Sequence, residues 1–456
     1  MRKSPSSQAF YLTVTSRWLL LLAGGTLLPL RAQGQSLNTA KLDSLLTSLA
    51  TNQKMMGSVA VMRAGQVVYS RAFGFAQLRP PLAATPATRY RVNYLHQLLT
   101  TILTFQLVEE GKLTLNTPLA RFLPKFPRAA DITIEHLLTE RSGLRARAYP
   151  PGKPMTSAQL LDFIAEPVAP AEIFPGVPYV HANYVLLEHV IAQLTKQTYA
   201  QALQTRILDR AGMHDTYFSR VPSPQQQEAL AFEKRASGWQ PSPNLNFAGP
   251  TGTGTLVSTP ADLNRLSEAL YEGRLVSAAH RQEMEQGHDG NPHLIGSSGQ
   301  NSRWPQPLYS YQADLSSAND YSAMASYSPT EKLSVAFCSN ARAYSINQVW
   351  EGIRSICFAK PYRLPVFTTS SYVPESADLD RCVGEYASSM IGLFFSVKRE
   401  GNTLRLESPR EGNMTLEPVS KGVFRYEERG ARIEFAPDFS AFLYQQNRMN
   451  LAYFKR

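Results

Sequence analysis

Cysteine is scarce in this chain: Cys338, Cys357 and Cys382 are its only three. Three thiols cannot all pair within one chain. None stands in a C-x-x-C, which argues against a disulfide scaffold or a thioredoxin-type redox motif. Cys338 and Cys357 lie in the apolar runs "VAFCSN" and "IRSICFAK" and are expected to be buried small hydrophobes. One disulfide would be permitted by export but is not required. With the first cysteine at 338, no lipid-modified cysteine is expected near the N-terminus. The histidines show no H-E-x-x-H or H-x-x-x-H spacing, so neither a zinc site nor another cofactor is expected. No block of Lys and Arg with interleaved aromatics occurs, which disfavours nucleic acid as a partner.

Long apolar runs are also missing, with one exception. "WLLLLAGGTLLPL", from Trp18 to Leu30, follows Arg2, Lys3 and Arg17. Small residues at Ala32-Gln33-Gly34 follow, which is the layout of a signal peptide over 1–34 with cleavage before Gln35. The alternative is an uncleaved N-terminal anchor, although the run is short for a membrane span. The expectation is an exported chain, periplasmic or secreted, with no span after cleavage. Loss of Arg2, Lys3, Arg17 and Arg31 would lower the formal charge from +10 to +6. Such a charge favours anionic envelope surfaces only in a general way.

The rest of the chain has ordinary globular composition, 43% hydrophobic and 18% charged. "GSVAVMRAGQVVYSRAFGFAQ" alternates about Ala64-Gly65 as a β-hairpin. Apolar residues at Leu95, Leu98, Leu99, Ile102 and Phe105 predict a helix that stops at Gly111. "DITIEHLLTERSGL" predicts a short helix entering a turn. Tyr184–Lys196, Tyr199–Gly212 and the segment from Ser258 to Gly273 predict further helices. "YSAMASYSPTEKLSVAFCSN" predicts strand, turn, strand, and "YSINQVWEGIRSICF" a closing helix. These imply an α+β domain over 35–360, a Pro/Thr/Ser linker over 361–376, and a small all-β domain over 377–456.

Seven stretches now carry a resemblance: the hairpin, "RYRV", "FQLVEEGKLTLNTPLARFLPKFP", "ITIEHLLTERSGL", "PGVPYVHANYVLLEHVIAQLTKQTYAQAL", "RILDRAGMHDTYFS" and "GTLVSTPADLNRLSEALYEGRL". In this order they resemble the serine β-lactamase and penicillin-binding-protein superfamily, in its branch of β-lactamase-related esterases and peptidases. The tail is similar to barrel-like domains appended to such proteins. The resemblance implies a β-lactamase/transpeptidase-like sheet flanked by helices and three motifs around one cleft. An S-x-x-K puts a nucleophilic serine one helical turn from the lysine that helps deprotonate it. A Y-x-N supplies a base and a substrate-positioning amide. A K-T-G or H-x-G strand forms the opposite wall, and backbone N–H groups form the oxyanion hole.

All three motifs are altered here. Counting from "RYRV" puts Tyr94 at the serine position and Gln97 at the lysine position. His181 takes the tyrosine position of Y-x-N, and Asn183 keeps the amide. Asp314-Leu315-Ser316 falls at the third motif. An amide such as Gln97 does not accept a proton at neutral pH. A phenol with an ordinary pKa of ~10 stays protonated there. The resulting expectation is a catalytically inactive homologue that binds an envelope peptide, a small molecule or a protein partner. The alternatives are a rebuilt hydrolase and a structural or interaction protein. In the rebuilt site Tyr94 would be nucleophile or acid, His181 base and Asp314 the orienting group. In the inactive one Tyr94 plugs the vacated pocket, His181 is hydrogen-bonded in the cleft or core, and Asp314 is a solvated loop carboxylate. His96 is expected to face away from Tyr94, Ser142 to serve its turn, and His288-Asp289-Gly290 to be a chance H-x-G.

Overall fold

The computed structural model describes residues 37–92, 95–144, 155–166, 181–221, 223–235, 238–242, 255–286, 309–314, 321–367, 370–388, 394–408, 412–446 and 449–456. Residues 1–34, where a signal peptide is expected, and Tyr94, Leu315, Ser316 and His288-Asp289-Gly290 lie outside them.

The hairpin forms where the alternation places it. Met55–Arg63 pairs with Gln66–Phe73, and the turn takes positive φ at Ala64 (49°) and Gly65 (79°), which matches the twist of the two strands. Met55–Arg63 is buried almost throughout because it lies inside the sheet. The five-strand path runs Tyr309–Asp314, Ser322–Ser328, Leu333–Arg342, Met55–Arg63, Gln66–Phe73, with every pair antiparallel. A side hairpin, Phe232–Arg235 with Gly238–Pro241, joins this sheet at Ala341.

Alternation divides the sheet between two cores. Met324 and Phe337 pack with Leu42, Leu45 and Leu49 of helix Thr39–Thr51 and with Val349 and Ile353 of helix Ile346–Cys357. Ala323, Ala325, Ala336 and Cys338 belong to the other core, built on the helical middle of the chain. Helix Pro260–Tyr271 docks there. Its buried Asn264 donates to the Ala60 carbonyl at 2.9 Å, and its Glu268 accepts from Ser334 at 2.8 Å.

Helix Leu95–Glu109 lies at the centre of that second core. Its spacing suggested one apolar stripe, yet Gln97, Thr100, Thr101, Thr104 and Gln106 are buried as well. Thr100, Thr101 and Thr104 satisfy themselves by donating to the carbonyl four residues back. Gln106 donates to the Leu275 carbonyl at 3.0 Å. The helix closes when the Lys112 amide reaches the Leu107 carbonyl across Gly111 at φ 66°.

The last nine strands form one antiparallel sheet. The two strands at its ends, Gly412–Thr415 and Glu417–Ser420, are consecutive in the chain, so the sheet curls into a nearly closed barrel. Tyr386, Phe395, Phe435, Phe442 and Tyr453 fill it. The segment between the two sheets is packed: Tyr362, Leu364 and Phe367 lie on the terminal-helix core, and Lys41 Nζ donates to the Tyr362 carbonyl at 2.7 Å. Among the described residues no helix is long and apolar enough to cross a membrane. All three cysteines are buried free thiols, and burial raises their pKa values, that of Cys382 to about 12.

Candidate functional site

The short strand Tyr90–Arg91 pairs with Ser258 and Val257 and feeds the chain into helix Leu95–Glu109. Its side chains are anchored on both sides. Tyr90 Oη lies 2.6 Å from Ser58 Oγ in full burial. Arg91 is 1% exposed and faces Glu228, also 1% exposed, at 3.4 Å. The guanidinium also donates to the Ser219 carbonyl at 2.8 Å and to Thr255 Oγ1. Glu228 accepts from Tyr217 Oη at 2.9 Å, Ser219 Oγ at 2.9 Å and the Ser223 amide at 3.1 Å. Burial lowers the Arg91 pKa, against the pull of Tyr321 and Glu228. Burial and the Glu228 bond push Tyr217 up to about 12. A charge pair buried this deeply needs all of these partners. It fixes the backbone three residues before Tyr94.

Gln97 lies in the first turn of the helix, 5% exposed, and its Nε2 has no hydrogen-bond partner among the described residues. One position earlier His96 takes a different environment. Its Nε2 meets Glu188 Oε1 at 2.6 Å, and its ring packs edge-on to Tyr199. Tyr199 Oη pairs with Thr100 Oγ1 at 2.8 Å, and burial holds its phenol protonated far above the usual range. His96 therefore ties the helix to its neighbour.

That neighbour is helix His181–Thr195, which begins on the second motif. The backbone of His181 is its first residue; the His181 side chain lies outside the description. Asn183 is fully buried. Its Oδ1 accepts from Ser142 Oγ at 2.5 Å, and its Nδ2 has no partner among the described residues. Ser142 also accepts from the Leu144 amide at 3.2 Å, so it does shape its turn. Tyr184 Oη donates to the Leu138 carbonyl at 3.2 Å, which fixes the helix under Ile134–Leu138. Asp314 ends strand Tyr309–Asp314, paired with Ser322, at the end of the sheet where Arg342 also finishes. The Asp314 side chain lies outside the description.

Sequence reasoning singled out Gln97 and Asn183, and both are buried. It missed Glu188 as the partner of His96 and the Arg91–Glu228 pair. "RYRV" carried Arg91 into view, but Glu228 is 137 positions away and has no local signal. Among the described residues, Asn183 and Gln97 each leave an amide N–H donor without a partner in a buried setting, where an unmade hydrogen bond costs about 1–3 kcal/mol. Neither is a base. No group of three or more His, Cys, Asp or Glu able to hold a metal occurs among the described residues.

Comparison with known proteins agrees with this architecture. The sequence pattern of the family described as Beta-lactamase matches residues 42–348. A Bacillus subtilis chain named for the penicillin-binding proteins (PbpX) is 25% identical over 229 residues, 50% of this chain and 58% of that one. The teichoic acid D-alanine hydrolase of Staphylococcus aureus is 26% identical over 244 residues, 52% of this chain and 58% of that one. The chain thus spans little more than half the length of these relatives. The octameric penicillin-binding protein homologue from Pyrococcus abyssi has the same fold at a TM-score of 0.59 and 20% identity, covering 91% of this chain and 100% of that one. D-amino acid amidase from Ochrobactrum anthropi superposes at 0.58 and 20% identity, covering 70% and 97%. With the sheet and the central helix in place and the family pattern matched over residues 42–348, the chain belongs to the Beta-lactamase family.

Proposed function

We propose that this chain is an exported family member that has lost acylation chemistry and retains a cleft for a D-aminoacyl or peptide ligand of the cell envelope. One observation carries the reading: the lysine position is Gln97, a buried amide with an unpartnered Nε2. An amide cannot take the proton of a nucleophile, and Tyr94 replaces the serine that would donate it. Two donors without a partner among the described residues, Gln97 Nε2 and Asn183 Nδ2, suit ligand carbonyl or carboxylate oxygens. The choice of ligand follows a relative named as a teichoic acid D-alanine hydrolase and a protein of the same fold named as a D-amino acid amidase. Export rests on the residue pattern of the leader.

The test uses the mature protein with a fluorescent penicillin and a serine-directed phosphonate, followed by intact mass. No adduct is expected. Calorimetry with an N-acylated D-alanyl-D-alanine peptide should show reversible binding that Asn183→Ala weakens about tenfold, the equivalent of about 1.4 kcal/mol. A stoichiometric adduct on any serine would refute the reading. So would ester or amide turnover abolished by Tyr94→Phe, which would establish the rebuilt Tyr94/His181 site instead.

A further inference from the structure

A second cleft lies away from the motif residues, at the side hairpin of the sheet. It has a volume of about 440 Å³ and is lined by the C-terminal end of helix Thr39–Thr51, the segment Gly74–Arg79 and the hairpin bearing Trp239. That size falls within the roughly 300–1,000 Å³ of small-molecule sites. Its floor is a small apolar cluster of its own, Met56 and Phe232 with Leu78 and Trp239 against them. Gly74 opens the wall, because at φ +77° a Cβ there would meet Met56 Cγ at 2.4 Å.

The polar lining decides which chemistry fits. None of the lining residues is acidic. Gln77 donates its Nε2 to the Pro80 carbonyl at 3.0 Å, which leaves its Oε1 able to accept. Gln53 accepts from Lys234 Nζ, which leaves its Nε2 able to donate. Arg79 adds an exposed guanidinium at the rim. A ligand here therefore meets both an acceptor and donors. A fatty acid or carboxylate offers acceptors alone and leaves Gln77 Oε1 unserved; a hydroxyl serves both kinds of group. The apolar surface points the same way. The Lys234 ammonium stands 5.3 Å from the Trp239 ring centroid, so it takes one face of the indole. Trp239 is half-buried on the Met56–Phe232 cluster and still lines the cleft, and Phe75, in the same lining, is 39% exposed, so the two rings offer flat apolar surface to a ligand. A molecule with an apolar C–H face and hydroxyls around its edge is a saccharide ring.

We infer that this cleft is a saccharide-binding subsite, with Trp239 as the stacking platform and Gln53 and Gln77 as the hydroxyl partners. Without a carboxylate in the lining, the site favours neutral or acylated sugars over cationic ones. The inference does not depend on the proposed loss of acylation, since none of these residues belongs to the three motifs.

The experiment titrates the mature protein with tri-N-acetylchitotriose by calorimetry, with decanoate as the apolar anion and spermine as the cation. Saccharide binding should be weakened at least tenfold by Trp239→Ala, largely restored by Trp239→Phe, and weakened several-fold by Gln77→Leu, which keeps the bulk and removes the acceptor. Penicillin labelling and D-alanyl peptide binding should be the same in all three variants and wild type. Failure of the trisaccharide to bind would overturn the inference. So would binding indifferent to Trp239→Ala, or decanoate or spermine binding as tightly as the sugar.

Discussion

The hydrogen bond between Ser142 and Asn183 can be tested energetically, because replacing either residue alone has a defined consequence. Ser142→Ala removes the hydrogen-bond donor that serves Asn183 Oδ1, in a fully buried position, and the acceptor of the Leu144 amide. Nδ2 has no partner among the described residues, so the variant leaves a buried amide with neither end served by them. A lost net hydrogen bond is worth about 1 kcal/mol, and an orphaned buried acceptor adds about 1–3 kcal/mol. Relief by local water keeps the expected cost near the lower end, about 2 kcal/mol. Asn183→Ala removes the orphan together with its partner's bond, so the double variant should cost less than the sum of the singles. The coupling should be on the order of 1 kcal/mol. Urea unfolding followed by tryptophan fluorescence is the assay. Trp239, Trp304 and Trp350 all precede residue 361 and no tryptophan follows position 350, so the signal excludes the barrel. Effects additive to within about 0.3 kcal/mol would show that the two side chains do not support each other.

Arg91→Met should cost about 3–5 kcal/mol, since it strands Glu228 at 1% exposure, and Glu228→Leu in the same chain should recover much of that in urea unfolding; a single-variant cost below about 1 kcal/mol would contradict the buried pair. Glu428 accepts from Tyr426 at 2.5 Å with Arg342, Arg429 and Glu233 nearby, and burial raises its carboxyl above the ordinary 4.5. The folded state then holds that proton more tightly than the unfolded one, so its contribution is most favourable below pH 4.5 and declines as pH rises through the raised folded value. Glu428→Gln should therefore flatten the fall in stability across that window and be the more stable chain at neutral pH; parallel pH profiles would argue against it. We also propose that 361–376 separates two domains, so limited proteolysis should cut near exposed Val373, beyond the packed Tyr362–Phe367, and leave a stable fragment that begins near residue 35 and ends close to Val373. Absence of a cut there would move the boundary.

Local pattern made much of this protein legible from its sequence. The hairpin about Ala64-Gly65, the stop at Gly111, the strand–turn–strand at Ser322–Arg342 and the alternating tail each depend on residues a few positions apart, where periodicity and turn chemistry act. The proposed replacements at Tyr94 and Gln97 rest on the same kind of local pattern, because the motif spans one helix turn. Helix Tyr199–Gly212 was legible as a rod but not in its pitch: Gln204–Leu208 forms a π-turn between α-helical ends.

Tertiary structure decided what long-range packing controls. Helix Leu95–Glu109 is buried on every side, which an apolar stripe does not foretell, because burial depends on how many neighbours surround the helix. Glu228 under Arg91, Glu188 against His96, Ser142 on Asn183 and the Trp239 cleft join residues tens to more than a hundred positions apart. Sequence supplies the charges and amides at each of these places. Which of them meet, and which are left buried with an unspent hydrogen bond, is fixed only when the sheet and helices exclude water from between them.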